Sequence, residues 1–342
     1  MGGRGLSPVD EAGTPDSSVL EIPPPDRSWR HNVAMRIFAR VLQALVVGML
    51  VLAGGHAVAA PTTSVASSRL PSWPAPEPEG VQAAGAALAD GFTGAMRWSR
   101  EVNTPAPIGS IAKVMTALVV LDSGDLERAV EVPEGIIAYD NKFGASTADL
   151  VPGEVLTARQ LLYALMLPSG CDAAYALAEA YGPGQAGFIE KMNDTARRLG
   201  LAGTHFSDPS GLPYPTGHST FATPADLITL GMRAMQSPVF REIVGSATHH
   251  VPAGPNNREH FWETTNLLLH DYPGTVGIKT GSTDAAGTCL LFETIRAGMP
   301  LIGVVLHSSA DSAVAAAEDA ERMLNWGYGP IAGALPFSWS LG

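Results

Sequence analysis

Residues 107–122 read PIGSIAKVMTALVVLD. Met115, Leu118 and Val119 recur at helical spacing, and Ser123-Gly-Asp closes the pattern, which predicts a helix over 110–122. Ser110 stands at its start and Lys113 three residues on, so hydroxyl and amine share one face. A lysine in its neutral form beside a serine can act as its base and give an activated nucleophile without histidine. The helix N-terminus favours the negative charge that develops during attack. On its own the pair is weak, because a capping serine and a solvated lysine read the same way.

Two further stretches change that. Residues 165–172 read LMLPSGCD and put Ser169, with Cys171 two positions later, on a loop between helical segments. Residues 277–283 read GIKTGST and put Lys279, Thr280, Gly281 and Ser282 late on a strand. The second serine follows Ser110 by 59 residues, and Lys279 follows it by a further 110. Only four lysines occur among the 21 Lys and Arg (Lys113, Lys142, Lys191 and Lys279), so these motifs hold half of them.

Around the motifs the periodicity predicts helices over 157–167, 172–181, 187–199 and 223–235, the last opening on Thr-Pro. Strands are expected over 274–279, 288–294 and 298–306, with a turn at 282–287, and a last helix over 311–325. Strands near the end with a helical block in the middle predict an α+β fold: an antiparallel sheet flanked by helices, carrying a helical subdomain.

Ser-x-x-Lys, the serine loop and Lys-Thr-Gly, in this order and context, resemble the penicillin-recognising acyl-serine enzymes. Within that superfamily the chain is similar to the D-alanyl-D-alanine carboxypeptidases of low molecular mass, from about Pro107 to Trp326. The likeness includes Lys113-Val-Met-Thr-Ala, Gly153-Glu-Val-Leu-Thr, Lys191-Met-Asn, the run from Thr204 to Leu212, and residues 277–282. It implies the serine β-lactamase/DD-peptidase fold and a secreted enzyme that trims D-alanine from peptidoglycan stem peptides ending in D-Ala-D-Ala. It further implies that Ser110 attacks, Lys113 takes its proton, and Ser169 relays a proton to the leaving amine. Cys171, Lys279, Thr280, Gly281 and Ser282 fall at substrate-binding positions, with Lys279 toward the substrate carboxylate. The N–H groups of Ser110 and Ser282 are the expected oxyanion donors. β-Lactam antibiotics would acylate the same serine, and no cofactor is implied.

Cys171 departs from the family pattern, which has asparagine there. A thiol donates and accepts weakly, so it replaces an amide poorly. Three readings follow: a slower enzyme, compensation by a neighbour such as Asp172, or a wall-binding or penicillin-binding pseudoenzyme. A bridge between Cys171 and Cys289 is conceivable after export, against the plainer expectation of two buried thiols. A β-lactamase of the glutamate-dependent kind is disfavoured, since no glutamate lies between Glu190 and Glu242. No G-x-S-x-G elbow supports a Ser-His-Asp esterase. His249, His250, His260 and His270 lack metal-ligand spacing and read as surface histidines on a loop and strand, so no metal is expected.

The N-terminal third carries an export signal. Residues 41–53 form an apolar h-region after Arg36 and Arg40, and Ala57-Val58-Ala59 suits a signal peptidase. The reading is a leader over 1–59 with translation starting at Met1 or Met35, a Pro-rich linker over 60–80, a catalytic domain over 81–327 and a tail over 328–342. A membrane contact would come only through that N-terminal segment if it stays uncleaved. The protein is thus expected outside the cytoplasm, associated with the cell wall. The leader's five basic and five acidic residues cancel, so the net charge of −12 belongs to the exported part and argues against nucleic acid.

Overall fold

The C-terminal strands build the platform on which the molecule is assembled. The computed structural model describes residues 77–143, 145–312 and 314–329, and the h-region, the cleavage site, most of the linker and nearly all of the tail lie outside them. The chain begins with β1 (Gly85–Asp90), β2 (Met96–Arg100) and the two-residue β3 (Ala106–Pro107). A 3-10 turn at Gly109–Ala112 leads into α1 (Lys113–Ser123), then β4 (Ala129–Glu131) and α2 (Gly135–Phe143). The helical block continues with β5 (Val155–Thr157), α3 (Ala158–Met166), α4 (Cys171–Tyr181) and α5 (Gly184–Arg198). Next come β6 (Phe221–Ala222), α6 (Pro224–Ala234), α7 (Pro238–Val244), β7 (Thr248–Val251), β8 (His260–Glu263) and the single-turn α8 (Leu267–Asp271). The chain closes with β9 (Thr275–Thr283), β10 (Gly287–Arg296), β11 (Met299–Leu306) and α9 (Ala315–Tyr328).

Five strands form one antiparallel sheet in the order β2-β1-β11-β10-β9, so the first and last strands of the domain pair, with Leu88 opposite Gly303. Alternate residues go to opposite faces. Leu88, Leu290, Phe292, Leu301 and Val305 pack under α9 against Ala320, Met323 and Leu324. Ala87, Ala89, Leu291, Ile302 and Val304 face the other way, into the core shared with α1, α3, α4 and α6. The result is the layered α+β architecture read from the sequence. The middle strands are mainly apolar on both faces because helices cover both, with Thr288, Glu293 and Thr294 of β10 as buried polar exceptions.

Local chemistry explains the helix starts. Thr157 caps α3 through a reciprocal pair with Gln160, and Thr223 caps α6 with Pro224 in the first turn. Asp319 of α9 accepts from the backbone N–H groups of Gln82 and Ala83 at 2.9 and 2.7 Å, which ties the start of the domain to its last helix.

Several expectations need correction. The segment 110–122 is not one α-helix, because Gly109–Ala112 is a 3-10 turn that tightens the chain before α1 begins at Lys113. β9 runs through Lys-Thr-Gly to Thr283, since pairing with β10 extends from Thr275 to Thr283. The last helix begins at Ala315 rather than at Asp311. The histidine region is a β7–β8 hairpin, and His260 is not on the surface. It is buried against Glu154, 3.2 Å from Nε2 to Oε1. No helix among the described residues is long and apolar enough to cross a membrane, and no metal-binding cluster of His, Cys, Asp or Glu occurs among them.

Candidate active site

The three motifs, the outer two of which begin at Ser110 and Lys279, 169 positions apart, meet in one cleft of about 580 Å³. Ser110, Ser169, Cys171, Thr280, Gly281 and Ser282 all line it. α1 brings Lys113 into the floor. Its side chain is fully buried, with Nζ 2.8 Å from Ser110 Oγ, 3.3 Å from Ser169 Oγ and 3.3 Å from Cys171 Sγ. One amine thus touches both candidate hydroxyls and the substituted third position of the second motif. Geometry of this kind lets a proton pass between the two serines through a single nitrogen.

The three-segment convergence needs glycine. A Cβ on Gly281 would sit 2.4 Å from the Ile108 carbonyl oxygen, and one on Gly109 would sit 2.9 Å from the Ser282 nitrogen. These contacts show how closely the turn carrying Ser110 is pressed against β9. They bring Gly109, the residue before Ser110, against the backbone of Ser282.

Ser169 occupies a left-handed conformation with φ of 66°, unusual for a residue with a side chain. Three hydrogen bonds hold it there. Ser146 Oγ donates to the Ser169 carbonyl at 2.8 Å, Gly170 N donates to the Ala164 carbonyl at 3.0 Å, and Cys171 N donates to the Ser146 carbonyl at 2.8 Å. Ser146 itself is exposed and lines the cleft, with Oγ 3.9 Å from Cys171 Sγ. Nothing in the sequence pattern marked Ser146.

Asp172 does not stand in for the missing amide. Its carboxylate accepts from the N–H groups of Ala148, Leu150 and Ala173 at 2.8 to 3.0 Å, so it organises backbone beneath the second motif. Burial pushes its pKa up, and those N–H bonds oppose the rise. Cys171 and Cys289 are both buried free thiols, as the plainer expectation had it. Burial raises the Cys289 thiol to about 12, which leaves it inert.

Lys279 is buried beneath β9 and donates to the Thr280 carbonyl at 3.1 Å and to Thr280 Oγ1 at 3.3 Å. Burial, and secondarily the charge of Lys113, holds its amine well below the ordinary lysine range. Thr280 Oγ1 in turn lies 2.7 Å from Thr265 Oγ1, a second cleft-lining hydroxyl that the sequence did not reveal. Among the described residues β9 pairs only with β10, which leaves its other edge without a strand partner beside the cleft.

The far wall rests on Asp208, whose Oδ1 accepts from the N–H groups of Ser210 and Leu212 at 2.8 and 3.1 Å. Tyr139 of α2 donates its hydroxyl to the same carboxylate at 2.8 Å, and the buried Thr116 hydroxyl donates to the Pro209 carbonyl at 2.5 Å. Beside Tyr139, the carboxyl of Asp140 keeps a buried Oδ1 without a partner, and burial lifts its pKa to about 7.

Comparison with known proteins agrees with this geometry. Residues 73–310 match the family model of D-alanyl-D-alanine carboxypeptidase peptidases. A D-alanyl-D-alanine carboxypeptidase of Streptomyces sp. strain K15 is 35% identical over 306 residues, covering 86% of this chain and 99% of its own. A carboxypeptidase of the same name from Mycobacterium tuberculosis is 34% identical over 70% of this chain and 80% of its own. The crystal structure of the Streptomyces K15 DD-transpeptidase superposes with a TM-score of 0.68 at 36% identity, covering 72% of this chain and 97% of that one. Solved variants of that enzyme include replacements of a serine and of a cysteine two positions after it, the spacing of Ser169 and Cys171 here. With the fold, the motif order and these relatives in agreement, the chain belongs to the D-alanyl-D-alanine carboxypeptidase family of serine peptidases.

Proposed function

We propose that the protein works outside the cytoplasm as an acyl-serine D-Ala-D-Ala peptidase, and that it turns over rather than merely binds. The observation that carries this reading is the 2.8 Å contact between Lys113 Nζ and Ser110 Oγ. In its neutral form Lys113 takes the hydroxyl proton as Ser110 Oγ attacks the penultimate D-alanine carbonyl. The N–H groups of Ser110 and Ser282 receive the developing oxyanion. As the C–N bond breaks, the proton held by Lys113 passes through Ser169 to the departing amine of the terminal D-alanine. An ester on Ser110 remains. Water then attacks that ester, the base accepts its proton, and the serine is regenerated.

The stem peptide adds to β9 as an extended strand, its terminal carboxylate toward Thr280, Thr265 and Lys279. A carboxylate beside Lys279 supplies the counter-charge that burial denies that amine. The net charge of −12 makes this attraction local rather than long-range. A β-lactam acylates Ser110 by the same route.

A second resolution of the ester has its own support, since the similar K15 enzyme of known structure is a DD-transpeptidase. There an acceptor amine replaces water and forms a new amide. The test is incubation with a fluorescent penicillin and with a D-Ala-D-Ala peptide, with and without an added amino acceptor. Covalent label on Ser110 and release of D-alanine are expected. Label without release would support the penicillin-binding pseudoenzyme, and absence of both would sink the acyl-serine reading.

A further inference from the structure

A peptide added to β9 satisfies one of its own edges and leaves the other facing the opposite wall. In an antiparallel pair, backbone N–H and C=O groups point alternately to both sides. Inside a cleft those outward groups need partners, since an unpaired buried donor costs about as much as a lost hydrogen bond. Ser146, Ser169 and Cys171, which come from outside the sheet, line the same cleft as Thr280, Gly281 and Ser282 of β9. An asparagine amide at position 171 would touch both the lysine and the peptide. Cys171 manages only the first, because its sulfur is buried at 1% exposure and 3.3 Å from Lys113 Nζ, and a thiol is a weak partner for an amide.

We propose that Ser146 makes the peptide contact that the cysteine cannot, so that the asparagine's two tasks are divided between Cys171 and Ser146. The proposal rests on the acyl-serine reading given above. Ser146 is exposed on the cleft and lies next to the sulfur, its Oγ 3.9 Å from Cys171 Sγ. Its position is fixed from two sides, by the hydroxyl's bond to the Ser169 carbonyl and by the Cys171 N–H on its own carbonyl, both 2.8 Å. The single hydroxyl proton is committed to Ser169, which leaves oxygen lone pairs to accept a backbone N–H of the bound peptide. A hydroxyl held in place by the protein loses little freedom when the substrate arrives. The ligand group is therefore a peptide N–H on the outward edge of the stem peptide, near the scissile bond.

The test is a double-mutant cycle of Ser146→Ala and Cys171→Asn, with kcat/KM for D-alanine release, penicillin acylation of Ser110 and melting temperature measured for each protein. Ser146→Ala is expected to lower kcat/KM about tenfold in the parent, the scale of one hydrogen bond. In the Cys171→Asn background the loss should shrink to under about twofold, because the amide takes the peptide contact back. Ser146→Thr, which keeps a hydroxyl, should recover most of the parental value. Equal losses in both backgrounds would mean that Ser146 only holds Ser169 in its left-handed turn, and would overturn the proposal. No loss in either background would overturn it as well. A parent that neither labels nor releases D-alanine would instead bring down the acyl-serine reading, and is seen before any variant is made.

Discussion

Lys113 Nζ lies 3.3 Å from the sulfur of Cys171, the same distance that separates it from Ser169 Oγ. The candidate base thus has a soft, weakly polar neighbour at the position where a Ser-x-Asn motif would place an amide. Cys171→Asn should raise turnover of a D-Ala-D-Ala peptide, by a few-fold to about tenfold, the scale of one added hydrogen bond. Steady-state release of D-alanine measures it. An unchanged or lower rate would show that the thiol is used as it stands.

Removing the amine itself separates function from stability. Lys113→Met should reduce penicillin acylation of Ser110 by at least about 100-fold, the lower range for loss of a positioned base. The side chain is fully buried, and an apolar residue of similar size escapes the cost of desolvating an amine, while the Ser110, Ser169 and Cys171 groups it leaves line an open cleft. The melting temperature should therefore hold or rise. A large fall would mean that Lys113 is chiefly a structural group.

The glycine contact at β9 makes a steric prediction. In Gly281→Ala the new methyl would meet the Ile108 carbonyl oxygen at 2.4 Å, so the turn bearing Ser110 must move off the strand. Overpacking of this kind costs about 1–3 kcal/mol. Acylation should fall more than tenfold together with a drop in melting temperature. Parental rates in this variant would show that the two segments need not touch.

Asp140 gives a pH signature. Its carboxyl is raised from 3.8 to about 7, with burial as the main cause and Asp172 as the second. The unfolded chain ionises near the ordinary value, so stability present below about pH 4 is lost progressively as pH rises toward 7. Asp140→Asn removes that loss. The difference in melting temperature, variant minus parent, should grow between pH 4 and pH 7 and then level off. A difference independent of pH would place the carboxylate in contact with solvent or with a cation.

The sequence marked the residues of the candidate site better than the scaffolding around it. Ser110, Lys113, Ser169 and Lys279 were legible because their spacing, their order and the scarcity of lysine left little else for them to be. The helices capped by Thr157 and Thr223 were legible because cap chemistry is local. β1 was missed because its partner β11 lies some two hundred residues away, and β2, which pairs only with β1 among the described residues, went with it. Ser146 and Thr265 were missed for the same reason, since each matters only through a neighbour brought up by tertiary folding. His260 was misplaced because its burial depends on Glu154, a residue in a separate stretch of chain.

The open edge of β9 has a cost of another kind. An unpaired strand is a template for any extended chain, including a second, misfolded copy of the protein, and natural sheets usually blunt such edges with charge, proline or a bulge. If the stem peptide docks on β9 as proposed, those remedies would block it, and the same row of backbone groups would set both aggregation propensity and substrate binding. Strand-shaped ligands that occupy the cleft should then act as folding aids as well as inhibitors.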